Sequence, residues 1–291
     1  MKLATLNIGG GPVAAVVSER GYLPVADLLP GAPGDVATLI DGWDGFAPRL
    51  RDAVGAAADG DWRSYAREAL LAPLPKPGKI LAIGLNYVDH INETDFAAPV
   101  HQVWFSKQVN SVHGPYADVQ LPRAAAETDY EVELVAVIGK RGRHIGEGDA
   151  PAHVFGYCVG NDVSARDWQM RTPQWVLGKS FDTHAPFGPW ITTADELGDP
   201  HGLGIRCTVN GERRQAADTG RMCFSIWQQI AYLSQVMTLE PGDLIFTGTP
   251  AGVGLGMSPP TYLRPGDVVR CEVDRLGFIE NRFVPEQAPN H

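Results

Sequence analysis

The sequence of 291 residues is poor in cysteine and in positive charge, and it has no long hydrophobic run. Its cysteines lie far apart and form no C-x-x-C pair, which argues against a zinc ribbon, a dithiol redox centre and a disulfide framework. The four are Cys158, Cys207, Cys223 and Cys271. We expect reduced thiols, most of them buried.

Lysine and arginine number 24 against 34 aspartates and glutamates, which gives a net charge of −10. This deficit of positive charge disfavours a polyanion-binding surface, so we expect neither nucleic acid nor a membrane as a partner. A membrane-spanning helix needs roughly 18 consecutive apolar residues, which the sequence lacks. Gly9–Pro12 interrupts the opening where a signal peptide would have its apolar core. We therefore expect a cytoplasmic protein.

The overall composition is that of a globular protein. Hydrophobic residues make up 44% and charged residues 20% of the sequence. These values exclude a disordered chain, a collagen-like fibre and a coiled coil. At about 150 residues per domain, the length fits one large domain or a large and a small one.

Three prolines within five positions, starting at Pro73, indicate a linker. The preceding residues predict a hairpin (2–7 and 13–17) and helices, hence a small N-terminal α/β domain over 1–72. Over 73–291, short β-rich runs broken by Pro-Gly and Asn-Gly turns predict a larger, strand-dominated domain. One amphipathic helix over 222–237 is expected to pack on its sheet. The predicted fold class is mainly β with α, that is, α+β.

Two glutamates share one face of a predicted strand, Tyr130–Ile138. Strand periodicity puts Glu131 and Glu133 on the same side as Val135 and Val137. Carboxylates at the mouth of an apolar surface repel each other unless a cation or a proton intervenes. The alternative is a half-exposed strand whose acids face solvent.

A third acid, Asp162, follows an apolar run that ends at Val159, so it is predicted at a strand end. The alternative is a capping or turn residue. Three oxygen ligands without cysteine or clustered histidine describe a hard cation such as Mg²⁺, Mn²⁺ or Ca²⁺ and argue against zinc. Such an ion would keep roughly three of six positions for a bidentate ligand and a water.

His90 and Glu93 are three residues apart and follow Asn86, a residue suited to begin a helix. A short helix would put both side chains on one face, where the carboxylate raises the basicity of the imidazole. Such a pair can deprotonate a metal-polarised water. The alternative is a capping cluster on a surface helix.

Six blocks stand in a characteristic order: Gly84–His90, Asp129–Leu134, Asn161–Asp167, Gly178–Asp182, Val209–Glu212 and Thr247–Pro250. In them the sequence resembles the fumarylacetoacetate hydrolase (fumarylacetoacetase) superfamily, in its short branch of acylpyruvases and oxaloacetate decarboxylases, from about Lys79 to Asn281. The resemblance implies a compact β-sheet roll or barrel as the catalytic domain. It implies that Glu131, Glu133 and Asp162 bind Mg²⁺ or Mn²⁺, with Ca²⁺ as an occupant in crystals.

The resemblance also gives roles to residues whose types alone leave the choice open. It implies that His90 and Glu93 are the catalytic dyad, on a segment that orders over the substrate like a lid. Arg166, which alone would be a surface ion pair, is implied to bind the substrate carboxylate. Thr249 and Gly248, which alone would be a simple turn, are implied to contact the same carboxylate.

Gln169 and Lys179 are implied by the resemblance to stabilise the developing oxyanion or enolate. Charge supports the assignment of Lys179, because three carboxylates and a divalent cation leave one negative charge that an ammonium would neutralise. The alternative for Lys179 is a solvated surface lysine.

These residues favour a metal-dependent hydrolase that cleaves a carbon-carbon bond of a 2,4-dioxo acid, of acylpyruvate or fumarylpyruvate type. The product enolate would be stabilised by the metal, Lys179 and Gln169. The same site would serve an oxaloacetate-type decarboxylase, an isomerase or a lyase. A non-catalytic protein that binds an oxo acid or a metal is a third hypothesis, which the complete residue set disfavours. The expected partners are a small-molecule 2-oxo acid and, from the resemblance, a second copy in a homodimer.

Overall fold

The computed structural model describes residues 1–93 and 99–287. The N-terminal part contains strands β1 (Lys2–Ile8), β2 (Gly11–Ser18) and β3 (Gly21–Pro24), helices α1 (Val25–Leu28), α2 (Val36–Asp41) and α3 (Trp43–Ala56), and strand β4 (Leu70–Leu71). Strands β1 and β2 pair along their length, so the predicted N-terminal hairpin is confirmed.

Strands dominate the rest of the described chain. In order, its strands and helices are β5 (Ile80–Gly84), α4 (Val88–Glu93), β6 (Val103–Ser106), β7 (Val112–His113), β8 (Val119–Leu121), β9 (Thr128–Asp129), β10 (Val132–Ile138), β11 (Val154–Asn161), β12 (Ser164–Ala165), α5 (Arg166–Gln169), β13 (Ala185–Thr193), α6 (Ala194–Leu197), β14 (Gly204–Val209), β15 (Glu212–Asp218), α7 (Ile226–Val236), β16 (Leu244–Phe246), β17 (Val268–Val273) and β18 (Gly277–Pro285).

Two large sheets organise these strands. The first has the order β3-β2-β1-β13-β11-β10-β16-β5-β6, with β4 on β1 and β7 on β13. The second has the order β15-β14-β17-β18-β8, and β9 pairs separately with β12. The fold class, mainly β with helices, is confirmed. Among the described residues both large sheets are open, so the architecture is a roll of packed sheets without barrel closure.

Strand β10 lies in the middle of the first sheet and is buried on both faces. Leu134 and Ala136 belong to the core that also contains side chains of the second sheet and of α7. Val135 and Val137 face the other core, which contains side chains of α2 and α3. The strand begins at Val132, two residues later than predicted, and its burial on both sides explains the continuous run of apolar residues.

The N-terminal hairpin extends the first sheet, because β1 pairs antiparallel with β13. Leu39 of α2 and Leu50 of α3 are fully buried in the core on one face of this sheet. A single sheet therefore spans both sides of residue 72, and the division into two domains there stays a prediction.

Helix α7 is shorter than the predicted 222–237 because Ser225 begins it. The Ser225 hydroxyl accepts from the Gln228 N–H, and the Gln228 side chain accepts from the Ser225 N–H, which forms a capping box. The preceding residues are paired elsewhere, since the Cys223 N–H donates to the Asn86 carbonyl at 2.8 Å. None of the helices in residues 1–93 and 99–287 is long and apolar enough to cross a membrane.

We predict that Leu134→Ala lowers the free energy of unfolding by about 2–5 kcal/mol, because the change leaves a cavity between the sheets. Leu134 is fully buried. Urea denaturation measures the change. Leu177→Ala is the matched control, since Leu177 is 60% exposed and its truncation should cost no more than about 0.5 kcal/mol. Equal losses in the two variants would contradict the assigned core.

Candidate active site

Three buried carboxylates meet where strand β10 begins and strand β11 ends. These strands pair antiparallel, with Val132 opposite Asn161. Glu133 lies in β10, while Glu131 and Asp162 lie just outside the paired ends. Each residue offers one oxygen to a group whose members lie within 4.8 Å of one another. The acids predicted from distant parts of the sequence therefore share one site.

Two buried lysines neutralise part of this charge. The Lys179 ammonium contacts Glu131 Oε2 at 2.6 Å and Asp162 Oδ2 at 2.7 Å. The Lys107 ammonium contacts Asp162 Oδ1 at 2.5 Å and donates to the Val163 carbonyl at 3.2 Å. Opposite charges hold both ammonium groups in an interior that would otherwise exclude them. The predicted position of Lys179 at the acids agrees with the structure, whereas Lys107 was not among the predicted site residues.

The surroundings shift the two glutamates in opposite directions. Burial raises the pKa of Glu131, but the charges of Arg166 and Lys179 outweigh burial and bring this pKa below its usual value. Burial raises the pKa of Glu133 well above its usual value, and the charges of Asp162 and Glu131 raise it further. A divalent cation would supply the positive charge that Glu133 needs to ionise. The all-carboxylate donor set therefore fits a hard ion such as Mg²⁺ or Mn²⁺.

Arg166, the first residue of α5, is surrounded by protein acceptors. Its Nε and Nη2 contact Asp129 Oδ2 at 2.9 and 2.8 Å, and Nη2 also contacts Glu131 Oε1 at 2.6 Å. Its Nη1 donates to Gln169 Oε1 at 2.9 Å. The guanidinium thus contacts Glu131, a candidate metal ligand, directly. The role predicted for Arg166, binding of the substrate carboxylate, stays a prediction.

Helix α4 carries the predicted pair. His90 Nδ1 lies 2.8 Å from Glu93 Oε1, so the three-residue spacing does place both side chains on one face. His90 is 6% exposed. The second oxygen of Glu93 accepts from the Gly252 N–H at 2.7 Å. Residues 94–98, which follow this helix, lie outside the described residues, and the ordering of the His90–Glu93 segment over a substrate stays a prediction.

The turn after β16 contacts one of the acids through a backbone amide. The Gly248 N–H donates to Glu133 Oε2 at 2.7 Å. Gly248 has a φ of +101°, and a Cβ there would lie 2.6 Å from the Cβ of Asn86, so this position requires glycine. The Thr249 hydroxyl accepts from Gln215 Nε2 at 2.8 Å. Thr249 and Gly248 therefore lie together beside the acids.

A small cavity of about 20 Å³ lies over this group. That volume is on the order of one water molecule. Most of the predicted site residues line it, namely His90, Glu131, Glu133, Arg166, Gln169, Lys179 and Thr249. Phe105 and Trp175 form an aromatic wall, with ring centroids 5.6 Å apart. The charged lining suits an ion and the anionic end of an organic molecule, and a ligand larger than one water would have to displace lining side chains.

Asp129 was not predicted as a site residue, although it is fully buried and bound to Arg166. Its carboxylate also accepts backbone N–H groups from Tyr130, Gly254 and Leu255, at 2.9, 2.7 and 3.0 Å. The sequence holds one usable signal: Asp129 is two residues before Glu131, so a strand pattern extended one residue beyond the predicted Tyr130–Ile138 puts it on the face of Glu131. On that pattern one face carries three acids, namely Asp129, Glu131 and Glu133.

The chain matches a known protein family over most of its length. The family model described as Fumarylacetoacetate (FAA) hydrolase C-terminal matches residues 79–284. The human protein named oxaloacetate tautomerase FAHD2A, mitochondrial, is 50% identical over 216 residues, which are 74% of this chain and 69% of that protein. Its name places that relative in mitochondria, and the cytoplasmic location predicted for this chain stays a prediction.

Solved structures extend the similarity to the whole fold. Fumarylacetoacetate hydrolase from Exiguobacterium antarcticum is 35% identical, with a TM-score of 0.84 over 98% of this chain and 100% of that chain. Maleylpyruvate hydrolase from Sphingobium sp. SYK-6, solved with manganese (II) ion and pyruvate, is 32% identical, with a TM-score of 0.82 over 99% of this chain and 100% of that chain. The chain belongs to the fumarylacetoacetate hydrolase family, as its sequence blocks predicted.

Proposed function

We propose that this protein is a 2-oxo acid enzyme that moves a proton at the carbon next to the 2-oxo group, with oxaloacetate as its candidate substrate and keto–enol tautomerisation as its reaction. One observation carries the proposal: Glu131 and Glu133, which cluster with Asp162, line the same cavity as Lys179 and His90. The name of the human relative, an oxaloacetate tautomerase 50% identical to this chain, supports this choice of substrate.

Glu131, Glu133 and Asp162 would hold the divalent cation. Such an ion, when bound, supplies positive charge that attracts the substrate carboxylate and 2-oxo oxygen and favours negative charge on that oxygen. Lys179 uses two of its three N–H groups on Glu131 and Asp162, so the third can donate to the substrate.

Two neutral side chains have one end fixed by the protein and the other end available to the substrate. Gln169 accepts from Arg166 through Oε1, which leaves its amide nitrogen to donate to a developing oxyanion. Thr249 accepts from Gln215 through its hydroxyl oxygen, which leaves the hydroxyl proton for the substrate carboxylate. Arg166 also lines the cavity and adds its positive charge there.

His90 would take the proton. Glu93 accepts a hydrogen bond from Nδ1–H, which favours the tautomer whose Nε2 carries the lone pair. Nε2 can then remove a proton from the carbon next to the 2-oxo group, and the resulting imidazolium can protonate the 2-oxo oxygen, which gives the enol. The reverse transfers give the keto form, and both directions are general acid–base catalysis. Phe105 and Trp175 line the same cavity with apolar rings.

Hydrolysis of a carbon-carbon bond in a 2,4-dioxo acid is the second candidate function. The His90–Glu93 pair favours it, because the same Nε2 can take the proton from a water that attacks the distal carbonyl. Similarity to a maleylpyruvate hydrolase supports it as well. Decarboxylation of oxaloacetate would use the same residues. We also propose a homodimer, on the family resemblance.

Product analysis separates these reactions. We expect the purified protein with Mg²⁺ or Mn²⁺ to accelerate the loss of enol absorbance of oxaloacetate without releasing pyruvate. A parallel reaction of 2,4-dioxo acids in ¹⁸O water tests hydrolysis, since hydrolysis alone puts the label into the released acid. Unchanged enol decay with the metal-loaded protein would contradict tautomerisation. Pyruvate released from oxaloacetate would indicate decarboxylation, and pyruvate released with a labelled acid from a 2,4-dioxo acid would indicate hydrolysis.

We predict that Glu133→Gln weakens Mn²⁺ binding by at least about 100-fold, because it removes a charged ligand. Glu133 is the suitable position because the ammonium contacts in the site are to Glu131 and Asp162, so the change leaves no buried cation without its acid. Calorimetric titration with Mn²⁺ measures the loss. Glu147→Gln, at an exposed position, is the control, and equal affinities in the two variants would contradict the metal site.

We predict that His90→Gln lowers kcat by about 10²- to 10⁴-fold, the usual contribution of a general base. Mn²⁺ affinity should stay unchanged, because His90 is not among the proposed ligands. Steady-state kinetics and calorimetry give the two values. His144→Gln serves as the control at an exposed histidine. A His90→Gln enzyme with full kcat would remove the assigned base.

A further inference from the structure

Four consecutive backbone amides, those of residues 252–255, donate to two carboxylates from different elements. We call residues 252–255 the amide segment. Its first two N–H groups donate to the carboxylate of Glu93, with N···O distances of 2.7 and 3.5 Å. Its last two N–H groups donate to the carboxylate of Asp129, at 2.7 and 3.0 Å. The segment therefore joins helix α4 to the end of strand β9.

The amide segment has little freedom to move. A Cβ on Gly252, whose φ is +105°, would overlap the carbonyl oxygen of Arg214, and a Cβ on Gly254 would overlap the carbonyl oxygen of Thr261. The Tyr130 hydroxyl donates to the Gly252 carbonyl at 3.0 Å. Both glycines are thus required by close backbone approach, and the segment is packed against its neighbours between the two carboxylates.

Each of the two carboxylates also contacts a residue of the proposed catalytic machinery. Glu93 Oε1 lies 2.8 Å from His90 Nδ1. Asp129 Oδ2 lies 2.9 Å from Arg166 Nε and is fully buried. A continuous chain of short contacts therefore runs from the imidazole through Glu93, the amide segment and Asp129 to the guanidinium.

We propose that Asp129 is a positioning residue for the His90–Glu93 pair and acts through the amide segment. Its carboxylate fixes the last two amides, the short segment then fixes the first two, and these hold Glu93 and with it the imidazole over the cavity. A base must lie within hydrogen-bond reach of the proton that it removes. The proposal rests on the proposed function for the identity of the base.

A double-mutant cycle tests the activity side. Asp129→Asn keeps the shape but puts an amide NH₂ group, which is a donor, against N–H donors of the segment or of Arg166. We expect kcat to fall by about 10²-fold, as for a catalytic group misplaced by about 1 Å. In the His90→Gln background the same change should lower kcat no further. Losses that multiply would show action through Arg166 and substrate binding, and would overturn the proposal.

Asp243→Asn is the matched control for loss of a buried acid. Asp243 is fully buried, pairs with Lys79 at 2.7 Å and accepts from the Glu240 N–H at 2.7 Å, at the other end of β16 from the Gly248 turn. Its variant should lose stability and keep kcat. A kcat loss equal to that of Asp129→Asn would mean that general destabilisation explains both, which also overturns the proposal.

Amide hydrogen exchange of the full chain with Mg²⁺ tests the geometry without any substrate. Glu93→Ala should speed exchange of the first two amides of the segment and leave the last two protected. Asp129→Asn should speed all four. Unchanged exchange of the first two amides in Asp129→Asn would contradict the proposal even in an active enzyme. If no oxo acid reacts, the proposed function fails, and these exchange rates still decide the arrangement.

Tyr130→Phe gives a milder version of the same test if Asp129→Asn does not fold. It removes only the hydroxyl that donates to the Gly252 carbonyl. We expect faster exchange of the first two amides, a lower kcat with unchanged Mn²⁺ affinity, and no further loss in the His90→Gln background. Unchanged exchange and unchanged kcat in Tyr130→Phe would overturn the proposal.

Discussion

Three carboxylates held within 4.8 Å of one another inside the protein are the constraint on which the rest of the site depends. Like charges repel strongly where water is excluded, so this arrangement exists only with compensating positive charge. Lys107, Lys179 and Arg166 supply it from separate elements. With Asp129 counted, four acids face three cations, so the group would carry one net negative charge with every acid ionised. A divalent ion would reverse that sign, and one carboxylate of a substrate would then neutralise it.

The fold meets this constraint by bringing strand ends together. Antiparallel pairing of β10 and β11 places Glu133 and Asp162 at the same end of the strand pair, although 29 positions separate them in the sequence. Burial of β10 on both faces keeps that end of the strand pair rigid, because each face packs against a different core. The turn at Gly248 then approaches closely enough for its N–H to bind Glu133. Backbone pairing thus brings the acids together, and side-chain contacts to Lys107, Lys179 and Arg166 complete the arrangement.

Local patterns in the sequence predicted the parts of the site that depend on near neighbours. A period of two gave the common face of Glu131 and Glu133, and a three-residue spacing gave the contact of His90 with Glu93. The contact of Lys107 with Asp162 was not predicted, because the two residues are 55 positions apart. A single lysine after a short strand forms no local sequence pattern that indicates such a contact. Strand order likewise depends on distant pairing, so the open edges of the sheets could not be derived from local periodicity.

The hairpin of β1 and β2 lies along the edge of β13, in the same sheet that carries the acids. The family match begins only at residue 79, after this hairpin. Without the hairpin, the β13 residues opposite β1, Ile191 and Thr192, would present unpaired N–H and C=O groups at the sheet edge. Unpaired edges of this kind can pair with strands of other molecules. The hairpin pairs these groups within the chain instead, and the sheet then ends at the four-residue strand β3, which is a shorter edge.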